Sequence, residues 1–232
     1  MKRKVSSIAL NALLLILGVV TVYPFVWMIF SSFKENQEIM ALEQHLLPQK
    51  FIIDNYINMN AHFNFVRFFL NSIVITVVIT LIVIYTSTIC GFVLSKYKFK
   101  GRNILFGFVL STMMIPWCVT IIPKYSMIQA FGWMDSYKAL IIPAMFSGFG
   151  IFSIAIFQFL WAWEDFLWPY LVITNKDKQL LAVGLKMFNG QYSTDYGALF
   201  AATAISIIPV LLIYLFFQKQ FIAGIAASAV KG

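Results

Sequence analysis

Charge is what this sequence has least of. Among its 232 residues only 11% are charged, 17 of them Lys or Arg and nine Asp or Glu, where a soluble domain carries about a quarter. A water-soluble core cannot hide what replaces them, so the solvent must be lipid. Cysteine is nearly as scarce. Cys90 and Cys118 both lie in apolar runs, which excludes a disulfide framework and a thiolate metal site. His45 and His62 lie far apart with no ligand spacing around them and read as surface residues. No metal site is expected. No G-x-x-x-x-G-K-[ST] stretch occurs, so the chain has no phosphate loop of its own.

What is present is apolar: 61% hydrophobic residues, 24 of them Phe. The net charge of +8 would suit nucleic acid if it formed one face. Instead the basic residues cluster at the ends of apolar runs, the pattern of membrane orientation. The composition therefore points to an all-α, polytopic transmembrane helical bundle, one domain over residues 1–232, with lipid as its surroundings and no nucleic-acid partner.

Hydropathy places the spans. Ile8–Phe30 is too long for the core of a signal peptide and lacks a small-residue cleavage site, so it reads as a retained first span. Tyr23 and Trp27 anchor it at one interface. The polar segment Ser31–Arg67 follows, with a short surface helix at Phe51–Asn60. Phe68–Leu94 is the second span; its β-branched run would suggest a strand in water, but its length requires a helix in lipid. The third span is Ile104–Ile122, interrupted by Pro116 and bounded by Pro123, and the last is Gly197–Phe217, kinked at Pro209. Gln218–Gly232 reads as a small-residue, flexible tail.

Between them lies Ala139–Ile173, about thirty-five residues with no basic residue and two acids, Glu164 and Asp165. A bilayer core needs roughly twenty apolar residues of helix. The run is too long for one span and too short for two with a loop. Charge decides between five and six crossings. With both ends inside and six spans, the cytoplasmic side holds Lys2, Arg3, Lys4, Lys96, Lys98, Lys100, Arg102, Lys219 and Lys231 and no acid. That segregation favours six spans with both termini cytoplasmic.

Several fragments share one resemblance. Ser31-Ser32-Phe33-Lys34, the loop Lys96–Arg102, Met113-Met114-Ile115-Pro116, Ile122-Pro123-Lys124-Tyr125, Gly132-Trp133-Met134-Asp135-Ser136, Trp163–Pro169 (WEDFLWP) and the terminal Phe221-Ile222-Ala223-Gly224 with Val230-Lys231-Gly232 follow in the order of a known family. The chain resembles the inner-membrane permease of carbohydrate ABC importers, closest to the second permease of the maltose-type and multiple-sugar group. The resemblance implies a multi-pass protein of the bacterial cytoplasmic membrane that is not itself an enzyme. It implies a second permease, two cytoplasmic ATPase subunits that bind ATP and magnesium, and an extracellular sugar-binding protein as partners. No cofactor belongs to this chain. The family's cytoplasmic coupling loop, which docks on the ATPase, has no counterpart here; it is expected between Phe152 and Ser153, where the end of a fourth span meets the start of a fifth.

On this reading the sugar-pathway candidates are Asn71, Gln158, Trp163, Glu164 and Asp165. Asn71, Gln158 and Thr112 equally suit helix–helix hydrogen bonding, and Trp161, Trp163 and Trp168 suit interfacial anchoring. Glu164 and Asp165 equally suit the outer end of a span, facing water. Gly224, Lys231 and Gly232 of the tail are candidates for ATPase contact, and Pro116 and Pro209 for hinges. Two rivals are a permease remnant without coupling and an ion-coupled secondary transporter, which would show internal repeats and ionisable residues at mid-membrane.

Overall fold

The structure is a computed structural model; it describes the backbone of residues 2–145, 155–188 and 194–229, and side chains over 10–145, 155–188 and 194–219. The junction between Phe152 and Ser153 lies outside the described residues. The chain divides into two units, Met1–Phe63 with Met187–Ile207, and Asn64–Lys186 with Ile208–Gly232.

The first unit begins with helix α1, Lys2–Ser31, whose leucines and valines from Leu10 to Val22 are exposed as lipid-facing residues must be. Its end turns at Ser31-Ser32-Phe33-Lys34. The short helix α2, Asn36–Ile39, and α3, Asp54–His62, follow. α3 docks on the turn through Asn55, whose amide donates to the carbonyls of Ser32 and Lys34 at 2.8 Å each, while Ser32 and Tyr56 share a hydroxyl hydrogen bond of 2.7 Å. Lys34 is 0% exposed. Its ammonium donates to the His45 carbonyl and lies 6.0 Å from the Trp27 ring, so a residue of the polar segment is in fact a buried, satisfied cation.

The same unit holds the start of the last helix, Tyr196–Ala229. Asp195 caps it, accepting from the Ala198 N–H at 3.1 Å. Asn36 braces the cap from α2: its amide donates to Asp195 at 3.0 Å, and its oxygen accepts the Gly197 N–H at 2.9 Å. His62 completes the arrangement, 3.1 Å from the other Asp195 oxygen and against the Phe188 ring. His62 is exposed, as expected of a surface histidine, but an acid far along the chain is folded onto it.

The second unit is built on α4, Phe65–Lys96, about 48 Å long at 1.5 Å per residue and so ample for a crossing. Ile75, Ile79 and Val83 on one face pack with Ile128, Leu140, Trp168, Val172 and Leu180. The unit continues with α5, Arg102–Met114, α6, Trp117–Ala130, α7, Lys138–Met145, α8, Ala155–Glu164, α9, Leu167–Val172, and α10, Leu181–Gly184, of which α7, α8 and α10 pack directly on α4. The last helix, hereafter α11, continues through Pro209 to Ala229. The tail read as flexible is helical that far; Lys231 and Gly232 lie outside the described residues.

Two expected spans differ. Ile104–Ile122 is not one rod: α5 and α6 meet at a bend of 102°. Ile115 is extended (φ −77°, ψ 119°) and Pro116 begins the next helix, as proline disfavours helical conformation in the residue before it and supplies no N–H. Pro123, expected to end the span, lies inside α6. The fifth span, expected in the second half of the run Ala139–Ile173, is likewise broken, between α8 and α9. Among the described residues three helices are long and apolar enough to cross a membrane, or four if the bent pair counts as one.

Candidate functional site

The break between α8 and α9 positions the acids. Asp165 accepts the Trp168 N–H at 3.3 Å, so its side chain, just before the N-cap Phe166, takes one of the free N–H groups of the new helix and competes with continuation of the old one. Trp168 turns inward and donates from its indole N–H to the Ala139 carbonyl at 2.9 Å. Above its ring, 3.8 Å from the centroid, sits the ammonium of Lys124 from α6. The bend at Pro116 is what makes this possible, since it carries Trp117, Thr120 and Lys124 to the wall of one cavity with α8 and α9 instead of away along α5.

That cavity has a volume of about 580 Å³ and is lined by Trp117, Lys124, Gln158, Trp161, Glu164 and Asp165 above an apolar floor from α4 and α7. Three of the five pathway candidates, Gln158, Glu164 and Asp165, thus meet in one place. Glu164 and Asp165 line it together although adjacent positions on a continuous helix would diverge by about 100°; the helix break removes that restriction. The other two candidates are elsewhere. Trp163 is buried in protein, stacked on Phe159 with centroids 6.1 Å apart and edge-on to Phe69. Asn71 donates to the carbonyls of Asp177 and Gln179 at 3.0 Å each, and neither lines the cavity. Interfacial anchoring does not describe Trp163 or Trp168, both of which are packed inside the unit. Thr112 bonds back to its own helix at Val109.

Asn71 belongs to a polar seam that ties the segment after α9 to the rest of the unit. Ser72 accepts the Leu181 N–H at 2.7 Å, and Arg67 pairs with Asp177 at 2.6 Å. Asp135 fastens the other side. It adopts φ +55° and accepts from the Thr174 N–H at 2.5 Å, the Thr174 hydroxyl at 2.6 Å and the Asn175 N–H at 2.8 Å. Its own carbonyl takes the Lys178 ammonium at 2.7 Å. The Thr174 hydroxyl first, then the two backbone N–H groups, hold the Asp135 carboxyl below the usual carboxylate range. Asp135 and Lys124 were missed as candidates from sequence because their partners lie about forty residues further on.

Of the hinge candidates, Pro116 stands at the 102° bend and Pro209 within an unbroken helix. Gly224 lies in the last turns of α11. Lys98, Lys100 and Arg102 surround an open basic hollow beside Gly101, which takes φ +89° to start α5. Among the described residues no group of three His, Cys, Asp or Glu could hold a metal ion.

No family model matches the sequence. Curated proteins do. The chain is 29% identical to the arabinooligosaccharides transport system permease protein AraQ of Bacillus subtilis (strain 168), over 98% of this chain and 97% of that one. It is 28% identical to the diacetylchitobiose uptake system permease protein NgcG of Streptomyces coelicolor, covering 95% and 88%. With the trehalose/maltose transport system permease protein MalG of Thermococcus litoralis it shares 27% identity, covering 96% and 98%. The fold matches a chain of a bacterial ABC transporter involved in the import of the acidic polysaccharide alginate, with TM-score 0.72 over 95% of this chain and 98% of that one at 18% identity. The resemblance to sugar ABC transporter permeases therefore holds from end to end. One difference is internal. The AraQ of Halalkalibacterium halodurans aligns over 280 positions covering both chains completely. Against 232 residues here, at least 48 of those positions have no counterpart, and they fall inside the chain.

Proposed function

We propose that this chain is the membrane-spanning permease subunit of an ATP-driven sugar importer. The observation that carries the reading is similarity over nearly the full length to relatives named for the transport of arabinooligosaccharides and of trehalose and maltose. In this reading the chain crosses the bacterial inner membrane six times with both termini cytoplasmic. It forms the pathway with a second permease and receives sugar from an extracellular binding protein. Two separate ATPase subunits bind ATP and magnesium and hydrolyse the nucleotide; the chain contributes no catalysis. Gln158, Glu164 and Asp165 face the sugar, while Asn71 and Trp163 hold the walls on which they stand. Pro116 and Pro209 let the halves move, and Gly224, Lys231 and Gly232 meet the ATPases.

One observation favours a second reading, a permease remnant that folds with a partner but does not couple. At least 48 internal positions of a full-length relative are absent, and the resemblance places the coupling loop where the chain has none. Reconstitution in proteoliposomes with a second permease, ATPase and binding protein separates the two. ATP-dependent uptake by the native chain supports the importer. Uptake that appears only after a relative's loop is inserted between Phe152 and Ser153 supports the remnant. Uptake that needs no ATPase and collapses with the proton gradient refutes both.

A further inference from the structure

Gln158 is 9% exposed, yet its amide has no hydrogen-bond partner among the described residues, and it lines the cavity between α6, α8 and α9. The side chain is enclosed, but its amide atoms stay open to the cavity; among the described residues the sealed, unpartnered side-chain polar atoms are those of Ser31, Thr76 and Thr80. A group left open at a cavity wall awaits a donor and an acceptor from something that enters. The acids beside it are similarly open. Among the described residues Glu164 has no hydrogen bond or ion pair, and Asp165 uses one oxygen for the Trp168 N–H. The one cation, Lys124, is already seated on the face of Trp168. Trp117 is 63% exposed and offers a flat apolar face to the same space.

We infer that this cavity is a binding site for one or two uncharged glycosyl units and rejects uronic acid units. The inference rests on the permease reading above and adds the charge class of the cargo and the residues that select it. A pyranose presents C–H faces that match an indole and hydroxyls that donate to carboxylates while accepting from an amide. The volume of about 580 Å³ lies within the roughly 300–1,000 Å³ usual for small-molecule sites. Two carboxyls, one of them the exposed Glu164, against one ammonium leave no spare positive charge for a third. A uronate would bring a third carboxylate into a partly desolvated space, where like charges repel far more strongly than in water.

The test uses the full chain in lipid nanodiscs, with saturation-transfer-difference NMR on maltotriose, cellotriose, arabinotriose and trigalacturonate. At least one uncharged trisaccharide binds saturably and trigalacturonate does not. Gln158→Leu, close in volume, weakens that binding about tenfold. Trp117→Leu, at an exposed position that leaves the core untouched, weakens it as well and serves if the first variant fails to fold. The Glu164→Gln, Asp165→Asn double variant narrows the discrimination against trigalacturonate about tenfold. Equal binding of trigalacturonate by the native chain, unchanged binding in both Gln158→Leu and Trp117→Leu, or no sugar binding by the folded chain overturns the inference. Uptake by the reconstituted importer separates the two failures. Transport indifferent to Gln158→Leu sinks the site and spares the permease, whereas absence of any transport sinks the permease and leaves the nanodisc titration to decide the site.

Discussion

Replacing Gly197 by alanine isolates one packing claim. A Cβ at this position would lie 2.5 Å from Asn55 Oδ1 and 2.8 Å from its Nδ2, so the Asn55 side chain has to move. It is not free to do so, because the same amide holds the carbonyls of Ser32 and Lys34 at 2.8 Å each. Losing both bonds in a buried setting costs about 2–4 kcal/mol. Alanine recovers up to about 1 kcal/mol of helix propensity, and less than that in the first turn of α11. The net loss is about 1–3 kcal/mol, or roughly 5 °C in Tm for a chain of this size. Thermal unfolding of the nanodisc-embedded chain measures it. Asn55→Ala removes the obstacle, so adding Gly197→Ala in that background costs nothing further, a coupling of about 2 kcal/mol. A single variant as stable as the native chain, or a penalty unchanged by Asn55→Ala, refutes the reasoning.

Asp135 and Asp195 carry a pH dependence of definite sign. Burial works to raise the Asp195 pKa, but hydrogen bonds from the Ala198 N–H, Asn36 and His62 outweigh it and lower it; Asp135 is lowered by its own bonds. A depressed folded pKa contributes stability that is present above the unfolded value, about 4, and is lost as pH falls below it. Tm therefore drops as pH falls from about 5 to 3, and Asp135→Asn flattens that limb. Asn71→Ala unties the carbonyls of Asp177 and Gln179 and lowers stability by about 1–2 kcal/mol, while sugar binding in nanodiscs changes less than it does in Gln158→Leu.

What the sequence made legible is what depends on long apolar runs. α1, α4 and α11 follow from length alone, since a helix of twenty or more apolar residues has few other homes. Where a polar side chain acts on its own backbone, hydropathy is blind. Asp165 sits in an apolar run, and the average over that run does not register that its carboxylate accepts the Trp168 N–H where the helix breaks. Pro116 was visible as an interruption, but the angle depends on what α6 packs against, chiefly α9 with Trp168. Asn71 was marked as a pathway candidate that equally suits helix–helix bonding; its partners are instead carbonyls of a segment about a hundred residues on. The burial of Lys34 was not legible, because its cover, Trp27 and the His45 carbonyl, comes from either side of it in sequence. The acids at 164 and 165 and Gln158 stood out because charged and amide groups in an apolar run are costly enough to need a reason, and the structure brings the three to one cavity. Lys124 entered only as part of the fragment Ile122-Pro123-Lys124-Tyr125.

The bend at Pro116 decides how the cavity relates to the bilayer, and its geometry can be measured. α5 and α6 are each about 20 Å long at 1.5 Å per residue, and neither alone spans a core of about 30 Å. A straight helix through residues 102–130 would separate its ends by about 41 Å, whereas two arms of that length turned through 102° bring them to about 26 Å. Spin labels at Asn103 and Gln129, on a chain with Cys90 and Cys118 replaced by alanine, should therefore report a distance near the shorter value by double electron–electron resonance. Pro116→Ala restores an N–H and relieves the constraint on Ile115, so a second population near the longer value should appear. Those molecules draw Lys124 off Trp168 and Trp117 out of the cavity, and sugar affinity falls in proportion to their share. A long distance in the native chain would mean that α6 continues the crossing begun by α5. The cavity would then lose its lid of Trp117 and Lys124, and the site would have to be sought on α8 and α9 alone.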